Sequence, residues 1–433
     1  MITHPTSELG NEKYRPQFHF TPQHNWMNDP NGLLYYKGRY HLFFQHNPKA
    51  IVWGNMSWGH AVSTDLYSWE ELPVAIACTE HSGIFSGSTV VDFKNTSGFG
   101  TIENPPIVAI YTEHQNDESN QSQCLAFSVD DGFTFTKYEG NPVLDVKVPN
   151  FRDPKVNWID DRWVMTVALP LEFKISFYTS TNLKEWKHLS DFGPAAEVGG
   201  IWECPDLIQI GDKWVLIVSL NPGGFQIGSG TQYFVGHWTG SEFIADDIQT
   251  RWLDYGRDNY AGVTFSNTPN DKKIFIGWMS NWEYAGIVPT DPWRSAMTLP
   301  RELSLQGSVL VQKPITRPDG FPEIRFSTKA GSVRIHENPD HYVEIGIRNR
   351  QVFVDIAHAW NEITAPLVQE VAAPQGEVDF HVIVDRGSIE VFAAGGTIAI
   401  TNLIFVDTAL TYVRAGEGIN NLTTKQLYLE QQG

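Results

Sequence analysis

A short hairpin with a carboxylate at its mouth occurs three times in this chain, far apart in sequence, and that repetition restricts the fold more than any other feature. The first copy is NWMNDPNG at 25–32 followed by LLYYKGRYHLFFQHN to residue 47, with Asp29 at the mouth. The apolar run 33–36, the turn Lys37-Gly38-Arg39 and the run 40–44 read as strand, turn, strand. FRDPKVNWIDDRWVMTVA at 151–168 repeats the pattern with Asp153, and WECPDLIQIGDKWVLIV at 202–218 repeats it with Glu203. From carboxylate to the first aromatic of the second strand is 11 residues for Asp29 to Tyr40, 10 for Asp153 to Trp163 and 11 for Glu203 to Trp214. Any one of these acids could simply cap a turn, since Asp-Pro and Pro-Asp are ordinary turn chemistry. Three in the same hairpin register point instead to a radial repeat, whose units bring equivalent positions to a common axis.

A second echo supports this reading. STDLYSWE at 63–70 returns as STNLKEWK at 180–187 and more loosely as SVDDGFTF at 128–135. Each is expected to be a rim turn in which Asp or Asn bonds back to the backbone. Innermost strands are expected to begin near residues 29, 86, 153, 203 and 262, spaced by 57, 67, 50 and 59 residues. That is room for four strands per unit, so the fold class is all-β, a five-bladed β-propeller over 1–312. Residues 1–24 read as an arm packing on the first repeat. Lys313-Pro314 and Arg317-Pro318 punctuate a linker at 313–320. Beyond it, short apolar runs separated by polar turns predict a C-terminal β-sandwich over 321–433. Its acids Glu344, Asp355, Asp385 and Glu390 mostly alternate with apolar residues and are expected to face solvent.

Length and composition narrow the function. A chain of 433 residues exceeds one ordinary core, so two domains are expected. Fifty acids against 31 bases give a net charge of −19, leaving little basic surface for nucleic acid or an anionic membrane. A neutral substrate fits better. Cys78, Cys124 and Cys204 are odd in number and lack metal or CxxC spacing, so all are expected to be reduced. MITHPTSELGNEKYRP has neither a basic n-region nor an apolar h-region, and no apolar run is long enough to span a membrane; a cytoplasmic protein is expected. His41 and His46 lie near Asp29 but on opposite faces of a strand, and no calcium loop is present, so no metal or other cofactor is expected. No GxSxG or glycine-rich phosphate loop suggests a serine hydrolase or nucleotide enzyme.

Clustered carboxylates suit glycosidic cleavage. Retaining hydrolysis needs two carboxyl groups about 5–5.5 Å apart, an ionised nucleophile and a proton donor that burial beside a like charge keeps protonated. A third can accept hydrogen bonds from sugar hydroxyls. Trp26, Trp53, Trp58, Phe85, Trp202, Trp278 and Trp282 are candidates for pocket walls, since sugar C–H faces pack on aromatic rings.

The motifs closely resemble those of glycoside hydrolase family 32, the β-fructofuranosidases that include invertases, inulinases and levanases. They are WMNDPNG at 26–32, FFQHNP at 43–48, WGHAVSTDLYSWE at 58–70, FSGS at 85–88, FRDPK at 151–155 and WECPD at 202–206. GWMSNWEYAGIVPTDPWRSAMTLPREL at 277–303 looks most like exo-acting levanases and inulinases. The resemblance implies a five-bladed propeller followed by a β-sandwich. It makes Asp29 the nucleophile, Glu203 the general acid/base and Asp153 the transition-state stabiliser. It further implies Asn28, Gln45, Trp53, Phe85, Ser86, Arg152 and Trp282 as contacts to a terminal fructose. The implied activity is exo-acting, retaining hydrolysis of sucrose, fructo-oligosaccharides, inulin or levan. Fructosyl transfer would use the same residues, and an inactive fructan-binding propeller is a further alternative. Two departures stand out: Asn259 where an aromatic is frequent, expected to alter the pocket rim, and a shorter sandwich, which leaves a homo-oligomer open.

Overall fold

The structure, a computed structural model, describes residues 12–116, 120–359 and 366–430. Seven sheets, antiparallel apart from two short parallel pairs, account for nearly all of it, and the helical pieces among the described residues are three 3₁₀ turns. None of the described helices is long and apolar enough to cross a membrane.

Five sheets are sequential meanders arranged as propeller blades. Their innermost strands are Asn25–Tyr36, Ser82–Val91, Arg152–Ile159, Ile201–Ile210 and Tyr260–Thr264. Each packs against the next, and the fifth returns to the first. A loop of the fifth blade fastens this seam, with Trp293–Arg294 pairing in parallel with Asn25 and Trp26. The middle strands read as continuous apolar runs because both faces are covered by neighbouring blades. Val164, Met165, Val167 and Ala168 of the third blade, for instance, are all buried, and Val90, Val108 and Ile110 of the second blade pack against Val156 and Met165.

The echoed octapeptides are rim turns, as expected. Asp65 Oδ1 accepts from the backbone N–H groups of Tyr67 and Ser68 at 2.8 and 2.6 Å. Asn182 Oδ1 does the same for Lys184 and Glu185 at 3.0 and 2.9 Å. In both turns the following indole, Trp69 or Trp186, donates 2.9 Å back to the carbonyl of Leu66 or Leu183, which ties turn to strand.

The fifth blade ends with Val309–Pro314, and a two-sheet sandwich begins at Glu323–Thr328. One sandwich sheet has five strands and the other six. Their facing sides bury Ile324, Phe326, Val343, Ile345, Val352, Val354, Val382 and Val391. The arm does more than cover the first blade. Phe18 and Phe20 pack both on Leu33 and Phe44 of that blade and on Phe321, Ile383 and Phe392 of the sandwich.

The expectation that the sandwich acids face solvent fails for two of the four. Glu344 and Asp355 are half-buried, but Asp385 and Glu390 are buried. Strand alternation puts this pair on the outer face of its sheet, and the arm and fifth blade cover that face. His19 is held between them, Nδ1 2.8 Å from Asp385 and Nε2 2.8 Å from Glu390. Glu390 also receives Arg301 Nη2 at 2.6 Å, whose Nη1 reaches Asp254 at 3.0 Å. Burial opposes charge on His19, yet the two carboxylates outweigh it and push its pKa up to about 9. Burial likewise works against an ionised Glu390, but Arg301 and His19 hold its pKa down at about 2.

Candidate active site

One irregularity recurs in all five innermost strands. Each carries a β-bulge in which two residues face one on the neighbouring strand. The pairs are Asn28-Asp29, Phe85-Ser86, Asp153-Pro154, Cys204-Pro205 and Ala261-Gly262. Asp153, Cys204 and Ala261 sit in the left-handed region at φ of 66, 47 and 53°, which L-residues seldom adopt and which tends to mark functional positions. The bulges break strand alternation at one level of the ring and turn side chains toward the axis. The three acids therefore do not share one position, as the hairpin spacing suggested. Asp29 is the second residue of its bulge, Asp153 the first of its own, and Glu203 immediately precedes one.

They nonetheless meet. Asp29, Asp153 and Glu203 line one cavity of ≈ 340 Å³ with Asn28, Gln45, Trp53, Phe85, Ser86, Arg152 and Trp282, so the three acids and the expected fructose contacts are brought together. Asp29 is oriented by neutral donors: Ser86 Oγ at 2.7 Å to Oδ2 and Asn28 Nδ2 at 3.0 Å to Oδ1. Asn28 is itself fixed by Trp26 Nε1 at 2.8 Å. The Cys204 sulfur lies 3.6 Å from both Asp29 Oδ2 and Asp153 Oδ2, so the two aspartates flank a single thiol. The Cys204 N–H donates to Asp153 at 3.1 Å. Glu203 is held differently, by a cation and a phenol. Arg152 reaches Oε1 through Nη2 at 2.8 Å and Nε at 3.1 Å, and the Tyr260 hydroxyl donates to Oε2.

Burial pushes both aspartates of the site up. Asp29 rises because of burial; the bond from Ser86 opposes this and the charge of Glu203 adds to it. Asp153 is pushed up to about 7 by burial, against the pull of Arg152, with Glu203 and Asp29 adding like charge. Two residues further along, the floor of the site is closed across the axis. Lys155 of the third blade donates to the Thr264 carbonyl of the fifth and lies 3.6 Å from Asp206 of the fourth, both side chains buried.

Residues 19–314 match the family model described as the glycosyl hydrolases family 32 N-terminal domain, and residues 319–426 match its C-terminal counterpart. The chain belongs to glycoside hydrolase family 32. A levanase of Bacillus subtilis is 42% identical over 93% of this chain and 68% of that protein. An extracellular exo-inulinase of Aspergillus awamori is 38% identical over 93% of this chain and 91% of the relative. The crystal structure of exo-inulinase from Aspergillus awamori superposes with a TM-score of 0.88 at 36% identity, covering 95% of this chain and 97% of that one. A β-fructofuranosidase from Schwanniomyces occidentalis complexed with fructosyl-erythritol gives 0.83 at 34% identity, covering 96% and 99%.

Not every expected wall of this family 32 site is a wall. Trp26, Trp58, Trp202 and Trp278 are fully buried core residues, leaving Trp53, Phe85 and Trp282 at the cavity. Trp26 and Trp278 instead buttress Trp282, with ring centroids 5.9 and 4.9 Å away. Asn259 does not reach the rim; it is buried and donates to Asp254 at 3.1 Å. His41 and His46 are structural, bonded to His60 at 3.1 Å and to the Trp26 carbonyl at 2.8 Å. No group of three or more metal-ligating side chains exists among the described residues. Sequence reasoning missed His114, Gln121 and Asn150, which line the cavity from the second blade and the loop before the third. It also missed Tyr260 as a partner of Glu203 and Cys204 as a bridge between aspartates. Cys204 is the first residue of the fourth bulge, and Tyr260 directly precedes the fifth, the place that Glu203 holds in the fourth.

Proposed function

We propose that this glycoside hydrolase is a retaining, exo-acting β-fructosidase that releases terminal β-D-fructofuranosyl units from sucrose, fructo-oligosaccharides, inulin or levan. Asp29 attacks the anomeric C2 while Glu203 protonates the departing oxygen, leaving a covalent fructosyl-enzyme; Glu203 then takes a proton from a water whose oxygen attacks C2, displacing the Asp29 carboxylate and freeing fructose. Asp153 accepts hydrogen bonds from the ring hydroxyls. Asn28, Gln45, Ser86 and Arg152 seat the fructose between Trp53, Phe85 and Trp282. The observation carrying the reading is that three carboxyls from three blades share one small cavity, with Asp29 aimed by Ser86 and Asn28 and Glu203 held by Arg152 and Tyr260. The axial floor at Lys155 and Asp206 favours a chain end over a mid-chain unit.

Asp29→Ala is the direct test. Turnover on sucrose or inulin should fall by several orders of magnitude, about 4 kcal/mol or more of barrier. Retention of most activity would overturn the assignment. We further take 1–312 as the catalytic propeller, 313–320 as linker and 321–433 as the sandwich; the strand break between Pro314 and Glu323 supports this division to within about two residues at each boundary. A cytoplasmic location finds support in three unpaired cysteines, although several relatives are named extracellular; fractionation of the source cells decides between the two.

A further inference from the structure

The cavity that holds the three carboxyls is at the small end of ligand pockets, and it has a neighbour. A second cavity of ≈ 550 Å³ adjoins it over the first and second blades, and the two share the rings of Trp53, Phe85 and His114. These rings are ordered against one another. His114 stacks on Phe85 with centroids 4.8 Å apart and planes at 19°, and Trp53 meets Phe85 edge-on at 6.1 Å. Burial, followed by the charge of Arg152, lowers the His114 pKa, so its ring presents an uncharged face at neutral pH.

The far wall has a different character. Lys49, Asn55, Thr79, Glu80 and Asn116 line it, a set of donors and acceptors of mixed charge. It is also preformed. The Asn116 N–H bonds the His81 carbonyl at 2.9 Å, and its side chain reaches the Glu80 carbonyl at 3.3 Å, which ties the two lining loops together. Aromatic faces beside polar groups held in place by their own hydrogen bonds suit a neutral polyhydroxy ligand. Two other large cavities share no residue with the site. One, lined by Trp158, Ile208 and Thr264, borders the opposite ends of the innermost strands; the other, lined by Arg317, His381 and Lys425, lies at the seam between domains.

We propose that the second cavity binds the sugar units of the departing chain beyond the first, the first unit resting on the three shared rings. The proposal rests on the assignment of the carboxylate cavity to the terminal fructosyl unit. It makes Glu80 and Asn116 specificity-determining residues for oligomeric and polymeric substrates. Sucrose, whose leaving group is a single unit, does not enter this cavity.

Both residues are exposed, so Glu80→Trp and Asn116→Trp should fold and fill the groove. kcat/KM is measured for each variant and the wild type on sucrose and on a five-unit fructo-oligosaccharide, with Tm as a check on folding. The expected result is a loss of about tenfold or more on the oligosaccharide, with sucrose within about twofold. Unchanged rates on both substrates, or equal losses on both, would overturn the proposal. A wild-type protein that cleaves neither substrate would sink the fructosidase reading instead, and is thereby distinguishable.

Discussion

Arg152 places two of its N–H groups, Nη2 and Nε, on the same oxygen of Glu203, at 2.8 and 3.1 Å. The remaining Nη1 is anchored by Gln121 at 3.3 Å and by the Asn150 side chain at 3.1 Å. The guanidinium therefore sets where the Glu203 carboxyl points, and a point charge cannot copy that fork. Arg152→Lys should keep the fold but lower kcat/KM on sucrose by about 10²-fold. Steady-state kinetics with a melting curve alongside checks this, and a lysine variant of near wild-type efficiency would deny Arg152 that role.

Glu203→Ala removes the proton donor while leaving Asp29 and its hydrogen bonds in place. Cleavage of a fructoside with an unreactive leaving group should drop by several orders of magnitude, while one with an activated leaving group should still load the enzyme. Added azide should then restore turnover and yield a fructosyl azide of the same anomeric configuration as the substrate. Product NMR reads the outcome, and absence of rescue would count against Glu203 as acid/base.

Asp153 binds its proton more tightly folded, with a pKa of about 7, than unfolded, where about 4 is usual. The folded state therefore carries the extra proton between those values. The stabilising contribution is complete below about pH 4 and fades as the pH rises through 7. The unliganded enzyme should lose stability over that window, by at most about 1.4 kcal/mol per pH unit from this group. Asp153→Asn should flatten the slope, which denaturant titrations from pH 4 to 8 would show; an unaltered slope contradicts it.

His19 titrates in a different window. Its folded pKa of about 9 exceeds the ordinary 6.5, so its contribution is full below pH 6.5 and is lost as the pH rises through 9. The difference corresponds to about 3 kcal/mol between those limits. Replacement by Gln should remove most of it and make stability nearly pH-independent there. Loss of Glu390, which also pairs with Arg301 at 2.6 Å, should be worse, about 3–5 kcal/mol, because it takes one carboxylate partner from each of two buried cations, Arg301 and His19.

Trp53 offers a contrast, since it lines the cavity while remaining 52% exposed. Little core depends on it. Trp53→Ala should leave Tm within about 2 °C but raise KM about tenfold or more on sucrose and inulin alike. A fall in Tm without a kinetic effect would make it a packing residue.

Much of this was legible from the chain because propeller blades are local. Each hairpin is contiguous in sequence, so Asp29, Asp153 and Glu203 could be matched by spacing, and turns such as 63–70 and 180–187 carry their own Asx chemistry. What escaped notice depends on contacts across blades. Asp385 and Glu390 obey strand alternation and would face water, were it not for an arm more than 360 residues earlier that covers them. Trp58 and Trp202 look like sugar platforms until neighbouring blades close over them. Tyr260 carries no carboxylate and so gave no cue of its own, although it directly precedes the fifth bulge as Glu203 precedes the fourth.

The allocation of one acid to each of three separate blades has a consequence for how the enzyme fails. No hairpin owns the chemistry, so loosening any single wedge of the ring pulls apart charges that must act together. Inactivation on heating should then coincide with the first loss of near-ultraviolet dichroism rather than precede it, making turnover a gauge of circular integrity for the whole propeller.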